Sequence, residues 1–101
     1  MLNIEVYLAQ EERNLSYQMV ADGRVIEGND FDVDESDIGR EMFRFGEAIG
    51  FYLDLHNISR CQIFPGMKYN PDSRNVEETD VPSRMGSVRK GLESQFKGDI
   101  K

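Results

Sequence analysis

Residues 34–56, DESDIGREMFRFGEAIGFYLDLH, constrain the fold of this chain more than any other stretch. Ile38, Met42, Phe45, Ile49, Tyr52, Leu53 and His56 recur at steps of three and four, which aligns one apolar face of an α-helix. Asp34 or Ser36 can cap its start, and acidic residues crowd the first turn, where the helix dipole is positive. The spacing therefore predicts a helix over 35–56, ended by Asn57. Gly39, Gly46 and Gly50 fall within about 40° of one another beside the apolar face, and Phe43 borders that strip. Each helix-interior glycine costs about 1 kcal/mol relative to alanine, so three cost roughly 3. Close approach of another backbone offsets such a cost. The cover is either a segment of the same chain or a second chain across a dimer seam. The opposite face carries Arg40, Arg44, Glu47 and Asp54, with one aromatic, Phe51, among them.

The segments before the helix alternate. Ile4, Val6 and Leu8 lie on one side of a strand over residues 2–9, and Asn3, Glu5 and Tyr7 on the other. A polar turn at residues 11–14 leads to a second alternation in Leu15, Tyr17 and Met19. Asp22-Gly23, between Met19-Val20 and Arg24-Val25-Ile26, is a hairpin signal because both residues tolerate positive φ. Gly28 and Asn29 are expected to bulge or break the third strand, which Phe31 and Val33 continue. After the helix, residues 60–64 read as a short fourth strand stopped by Pro65-Gly66. Residues 66–82 show no period and read as a mobile loop. Met85, Val88, Leu92 and Phe96 then mark a C-terminal amphipathic helix, interrupted by Gly86 and Gly91.

The expected fold is α+β, with a three- to four-stranded antiparallel sheet in βββαβ order. One long helix packs on one face, followed by the short C-terminal helix. At 101 residues there is room for one modest core. Residues 1–66 form the compact part, and residues 67–101 a loop and amphipathic segment packed on the same domain. Net charge is −7, which argues against nonspecific binding to nucleic acid or anionic membrane. The imbalance is uneven, with 13 acids and 5 bases in residues 1–66 but 6 acids and 7 bases after them. The single cysteine, Cys61, excludes an internal disulfide framework. No basic leader precedes an apolar core and no run reaches membrane-spanning length, so a cytoplasmic protein of a bacterial or host cell is expected.

Chemistry-bearing motifs are few. Asp30, Asp32, Asp34, Ser36 and Glu41 fall at loop positions 1, 3, 5, 7 and 12, a spacing that resembles an EF-hand calcium loop. Position 6, however, is Glu35 where the sharp turn needs glycine, and Asp37 stands where an apolar residue belongs. An acidic strand edge leading into a helix start accounts for the same residues. His56 and Cys61 lie five apart across a helix-to-strand turn, yet both continue apolar patterns and read as structural. The four bases of the last helix face are interrupted by Glu93 and Asp99. No metal, cofactor or catalytic residue is expected.

Strand, hairpin, helix and strand over residues 4–64 resemble, in their order, the partial RNase-H-like fold of the HicB antitoxin family. The Pro-Asp-Leu-Pro-Gly-Cys segment that precedes the helix in that family is replaced here by Glu27-Gly28-Asn29-Asp30-Phe31-Asp32, and no functional residue is carried across. The resemblance implies an antitoxin or regulatory protein that dimerises and binds a toxin. The reading placed first is a small acidic binding or inhibitor protein that occludes a partner with a basic surface. Small phage-encoded inhibitors of nucleic-acid enzymes and defence systems share this size and charge. Its expected contacts are Asp30, Asp32, Asp34, Glu35 and Asp37, then Glu41, Glu47 and Phe51 along the helix. Gly39, Phe43, Gly46 and Gly50 form the expected helix-packing or homodimer seam. Neither direct nucleic-acid contact nor a membrane is expected.

Overall fold

The computed structural model describes residues 2–101. Strands β1 (Leu2–Glu11), β2 (Asn14–Ala21) and β3 (Arg24–Asp32) form an antiparallel meander. A 3-10 turn, Glu35–Asp37, opens into helix α1 (Ile38–Leu55). The chain then runs through β4 (Ile58–Pro65), β5 (Met67–Asn70), β6 (Asn75–Glu78), α2 (Met85–Gln95) and β7 (Asp99–Ile100). The main sheet has five strands in the order β3-β2-β1-β4-β7. It is mixed rather than antiparallel: α1 carries the chain back across the sheet, so β4 joins β1 in parallel, and α2 does the same for β7 beside β4. With α2 and β7 the sheet acquires a fifth strand, one more than the three or four expected.

Alternation in the strands decides where the core sits. Ile4, Val6 and Leu8 of β1 meet Leu15, Tyr17 and Met19 of β2 under Met42, Phe45, Ile49 and Leu53 of α1. Val88, Leu92 and Phe96 complete this layer, so both helices cover the same face. The Asp22-Gly23 turn has φ 52° and 75°, the positive values that pair was expected to supply. The bulge in β3 falls not at Gly28 and Asn29 but earlier: Met19 pairs with Glu27 and Val20 with Val25, leaving Ile26 extra. Gly28 instead pairs regularly with Gln18.

Residues 66–82, expected to form a loop without regular structure, contain two short strands. β5 and β6 form a hairpin whose turn is closed by Asn70, its side-chain oxygen accepting from Asp72 N–H at 2.9 Å. The hairpin lies over the sheet face opposite the helices. Tyr69 packs there with Tyr7 and Val20, and its ring stacks on Tyr7 at 5.6 Å. Gln18 acts as a substitute strand, donating to Tyr69 C=O at 2.7 Å and accepting from Tyr69 N–H at 2.8 Å. The Gly66 N–H donates to Leu8 C=O and the Gln10 N–H to Asp80 C=O, fastening the hairpin base to the end of β1. Among the described residues no helix is long and apolar enough to cross a membrane.

The glycine strip is covered within the chain by α2. A Cβ at Gly46 would overlap the Val88 carbonyl and lie 2.8 Å from Leu92 N, and one at Gly50 would lie 2.7 Å from Leu92 O. Gly91 reciprocates from α2, where a Cβ would overlap the Phe43 carbonyl and sit 2.9 Å from Glu47 N. Phe43 meets the crossing through its backbone carbonyl. Gly39 is the correction: a Cβ there meets nothing within 4 Å, because α2 crosses farther along α1.

Candidate functional site

The elements converge so that one end of the sheet is acidic. The β1–β2 turn brings Glu11 and Glu12, the end of β3 brings Asp30 and Asp32, and the segment into α1 brings Asp34, Glu35, Asp37 and Glu41. Val33 N–H donates to Arg13 C=O at 2.8 Å, which holds that segment against the β1–β2 turn. The hairpin base adds Glu77, Glu78 and Asp80, the last paired with Gln10. Against these eleven acids stand four bases, Arg13, Arg40, Lys68 and Arg84. The remaining eight acids and eight bases cancel, so the whole net charge of −7 resides at this end.

Its geometry follows from strand pairing. Asp32 pairs with Asn14 and Asn14 with Glu11, placing two carboxylates two strands apart in one row, a span of about 10 Å. Asn14 Nδ2 donates to Asp30 Oδ2 at 3.0 Å and to Asp32 Oδ1 at 3.4 Å, fixing both carboxylates on the face away from the helices. Lys68 Nζ approaches Glu11 at 3.4 Å, and Arg13 donates to the Val33 carbonyl at 3.3 Å, so two of the four bases are engaged locally. Asp34 accepts from Ser36 Oγ and N–H as the cap of the 3-10 turn, which holds its carboxyl below the usual range. Asp30, Asp32, Asp34, Glu35 and Asp37 are all exposed.

Two expected contacts lie elsewhere. Glu47 sits at the crossing with α2, and Phe51 lies on the outer flank of α1 with Leu55, at 53% and 60% exposure. The reason is geometric: α1 starts at the acidic end and runs away from it, so residues spaced along the helix diverge from the strand acids. Sequence reasoning missed Glu11, Glu12, Glu77, Glu78 and Asp80. The runs Glu11-Glu12 and Glu77-Glu78-Thr79-Asp80 were visible signals, but only the hairpin's docking on β1 unites them.

The groups weighed for chemistry are engaged apart from each other. His56 Nε2 meets Glu27 at 3.2 Å, and Cys61 is buried on β4. Among the described residues no three His, Cys, Asp or Glu side chains gather as metal ligands would. Burial pushes the Cys61 thiol up to about 11 from 9.0, and the Tyr7 and Tyr17 phenols up to about 12 from 10.0, with Glu5 adding to the shift at Tyr7 and Glu27 at Tyr17. A raised pKa in the fold means that the protonated form is preferred there. The stability it contributes is complete below the unfolded pKa and is lost as pH rises through the folded one. Thermal midpoints are expected to hold up to pH 9 and fall between pH 9 and pH 12. The native thiol should resist aromatic disulfide reagents near pH 8 and react once denaturant unfolds the chain. Rapid native labelling, or an unchanged melt at pH 12, would contradict this account.

No family model matches the chain, and a comparison with curated proteins finds no match.

Proposed function

We propose that this chain is an acidic binding protein that occludes a basic surface on a protein partner, in the manner of a nucleic-acid mimic. The observation that carries the reading is the concentration of the whole net charge at one end of the sheet. Carboxylates held on rigid strands offer a basic groove the charge that phosphates would otherwise supply, and such fields accelerate association and select partners by charge. The partner is a nucleic-acid enzyme or a component of a defence system, and the inhibitor acts in the cytoplasm of a bacterial or host cell. No catalytic step is assigned to it.

A second reading, a HicB-like antitoxin or regulator that binds a small toxin and dimerises, is favoured by the element order through β4. Capture from bacterial lysate separates the two. For the occluding protein, retained proteins should be nucleic-acid-binding, released by competing duplex DNA and by raising salt from about 50 to about 500 mM. The variant with Asp30, Asp32, Asp34 and Asp37 all changed to Asn should retain at least about tenfold less. Asn still caps the 3-10 turn at position 34, so the fold should persist. Retention of one small toxin instead, unaffected by duplex DNA, would establish the second reading and remove the first.

A further inference from the structure

The acidic end includes an open sheet edge. Among the described residues β3 is the outermost strand of the sheet on its side, and its nine residues have β2 as their one strand partner. The direction of its backbone groups can be read from two hydrogen bonds. Val33 N–H donates inward to Arg13 C=O, whereas Asp30 N–H takes the Asn29 side-chain oxygen at 2.9 Å rather than a β2 carbonyl. Alternate residues of an antiparallel strand turn their N–H and C=O away from the neighbour, so Gly28, Asp30 and Asp32 present theirs outward. Side chains alternate too. Asp30 and Asp32 stand on the face away from the helices, held by Asn14, while Phe31 points to the helix side. The Phe31 ring meets Phe45 edge-on at 5.5 Å yet remains half-buried, since among the described residues no strand lies beyond it.

We infer that this edge takes up an extended segment of the partner as an added strand, one in which basic residues alternate with apolar ones. Bases at every second position face Asp30 and Asp32, and the apolar residue between them covers the outer side of Phe31. The inference rests on the proposed function and specifies its contact. A second copy of the chain is a poor occupant. Its own β3 offers one base, Arg24, against Glu27, Asp30 and Asp32, so self-pairing sets like charges against one another. The Asn29 side chain fits the same logic, because it occupies the outward Asp30 N–H while the edge is vacant and yields it to an incoming strand.

The test uses synthetic peptides of about ten residues, a common strand length. One alternates Lys with Val; the other has the same side chains but N-methyl groups on the amides of one edge. Binding to the full chain is measured by calorimetry at about 50 mM salt, where surface charges are weakly screened. The alternating peptide should bind, and N-methylation should weaken it at least about tenfold by removing strand pairing. Asp30→Asn, which keeps the N–H, should weaken binding about threefold, whereas Asp30→Pro, tolerated on an edge, should weaken it at least about tenfold further. Asn29→Ala should tighten binding about two- to threefold by freeing the outward donor. If Asp30→Pro fails to fold, the peptide pair on the unaltered chain decides alone. Equal binding of both peptides would overturn the added strand while leaving the acidic contact. Binding of neither would overturn both. A complex holding two copies of the chain and no peptide would hand the edge to self-pairing.

Discussion

A Gly46→Ala variant is expected to lose about 3 kcal/mol of stability or more, although alanine is the better helix former. The new Cβ overlaps the Val88 carbonyl, a backbone group that no rotamer change can move, so α1 and α2 must separate. Gly91→Ala should behave alike, since its Cβ overlaps the Phe43 carbonyl from the other helix. Gly39→Ala should do the opposite and gain about 0.5–1 kcal/mol, because that position is open and only helix propensity acts. Denaturant melts of the three variants, with light scattering for mass, check both the sign and the location. A monomer whose mass changes in none of them fits a crossing inside one chain. Splitting of a dimer by Gly46→Ala would move the seam between chains.

Gln18→Ala is expected to cost about 2 kcal/mol, because Gln18 alone supplies both partners to the Tyr69 backbone. Tyr69 is buried, so removing the amide leaves a donor and an acceptor desolvated and unpaired rather than merely returned to water. The loss should be local as well as global. Exchange of the Tyr69 amide should accelerate, and proteolysis should begin within residues 70–75 of the hairpin turn. Unchanged stability together with a protected Tyr69 amide would mean that other contacts dock the hairpin. Since the hairpin carries Glu77, Glu78 and Asp80 to the acidic end, the same variant also loosens part of the proposed site.

What could be read from the sequence was whatever repeats with a period. The α1 face, the β1 and β2 alternations, the Asp22-Gly23 turn and the α2 face at Val88, Leu92 and Phe96 each involve residues a few positions apart. Parallel pairing was not legible, because β4 and β7 reach the sheet through helices and nothing local distinguishes their direction. β5 and β6 escaped notice because they are four residues each, and β6 is exposed throughout, which erases alternation. Gly91 read as a weakness of α2, whereas it matches Gly46 across the crossing. Asp30 to Asp37 stood out as a run, but the other half of the acidic end comes from segments more than sixty residues apart. Only tertiary contact gathers them.

If the proposed function holds, the location of charge, and not its total, governs binding. Two variants with the same net charge test it. One changes Asp30, Asp32, Asp34 and Asp37 to Asn at the acidic end, and the other changes Glu5, Asp22, Asp72 and Glu93 to the matching amides elsewhere. Retention of each on a polylysine surface is measured from about 50 to about 500 mM salt, across which the screening length falls below the size of the patch. The first variant should be released at markedly lower salt than the second, which should stay close to the unaltered chain. Release of both at the same salt would show that net charge alone governs the interaction, and the acidic end would not be a site.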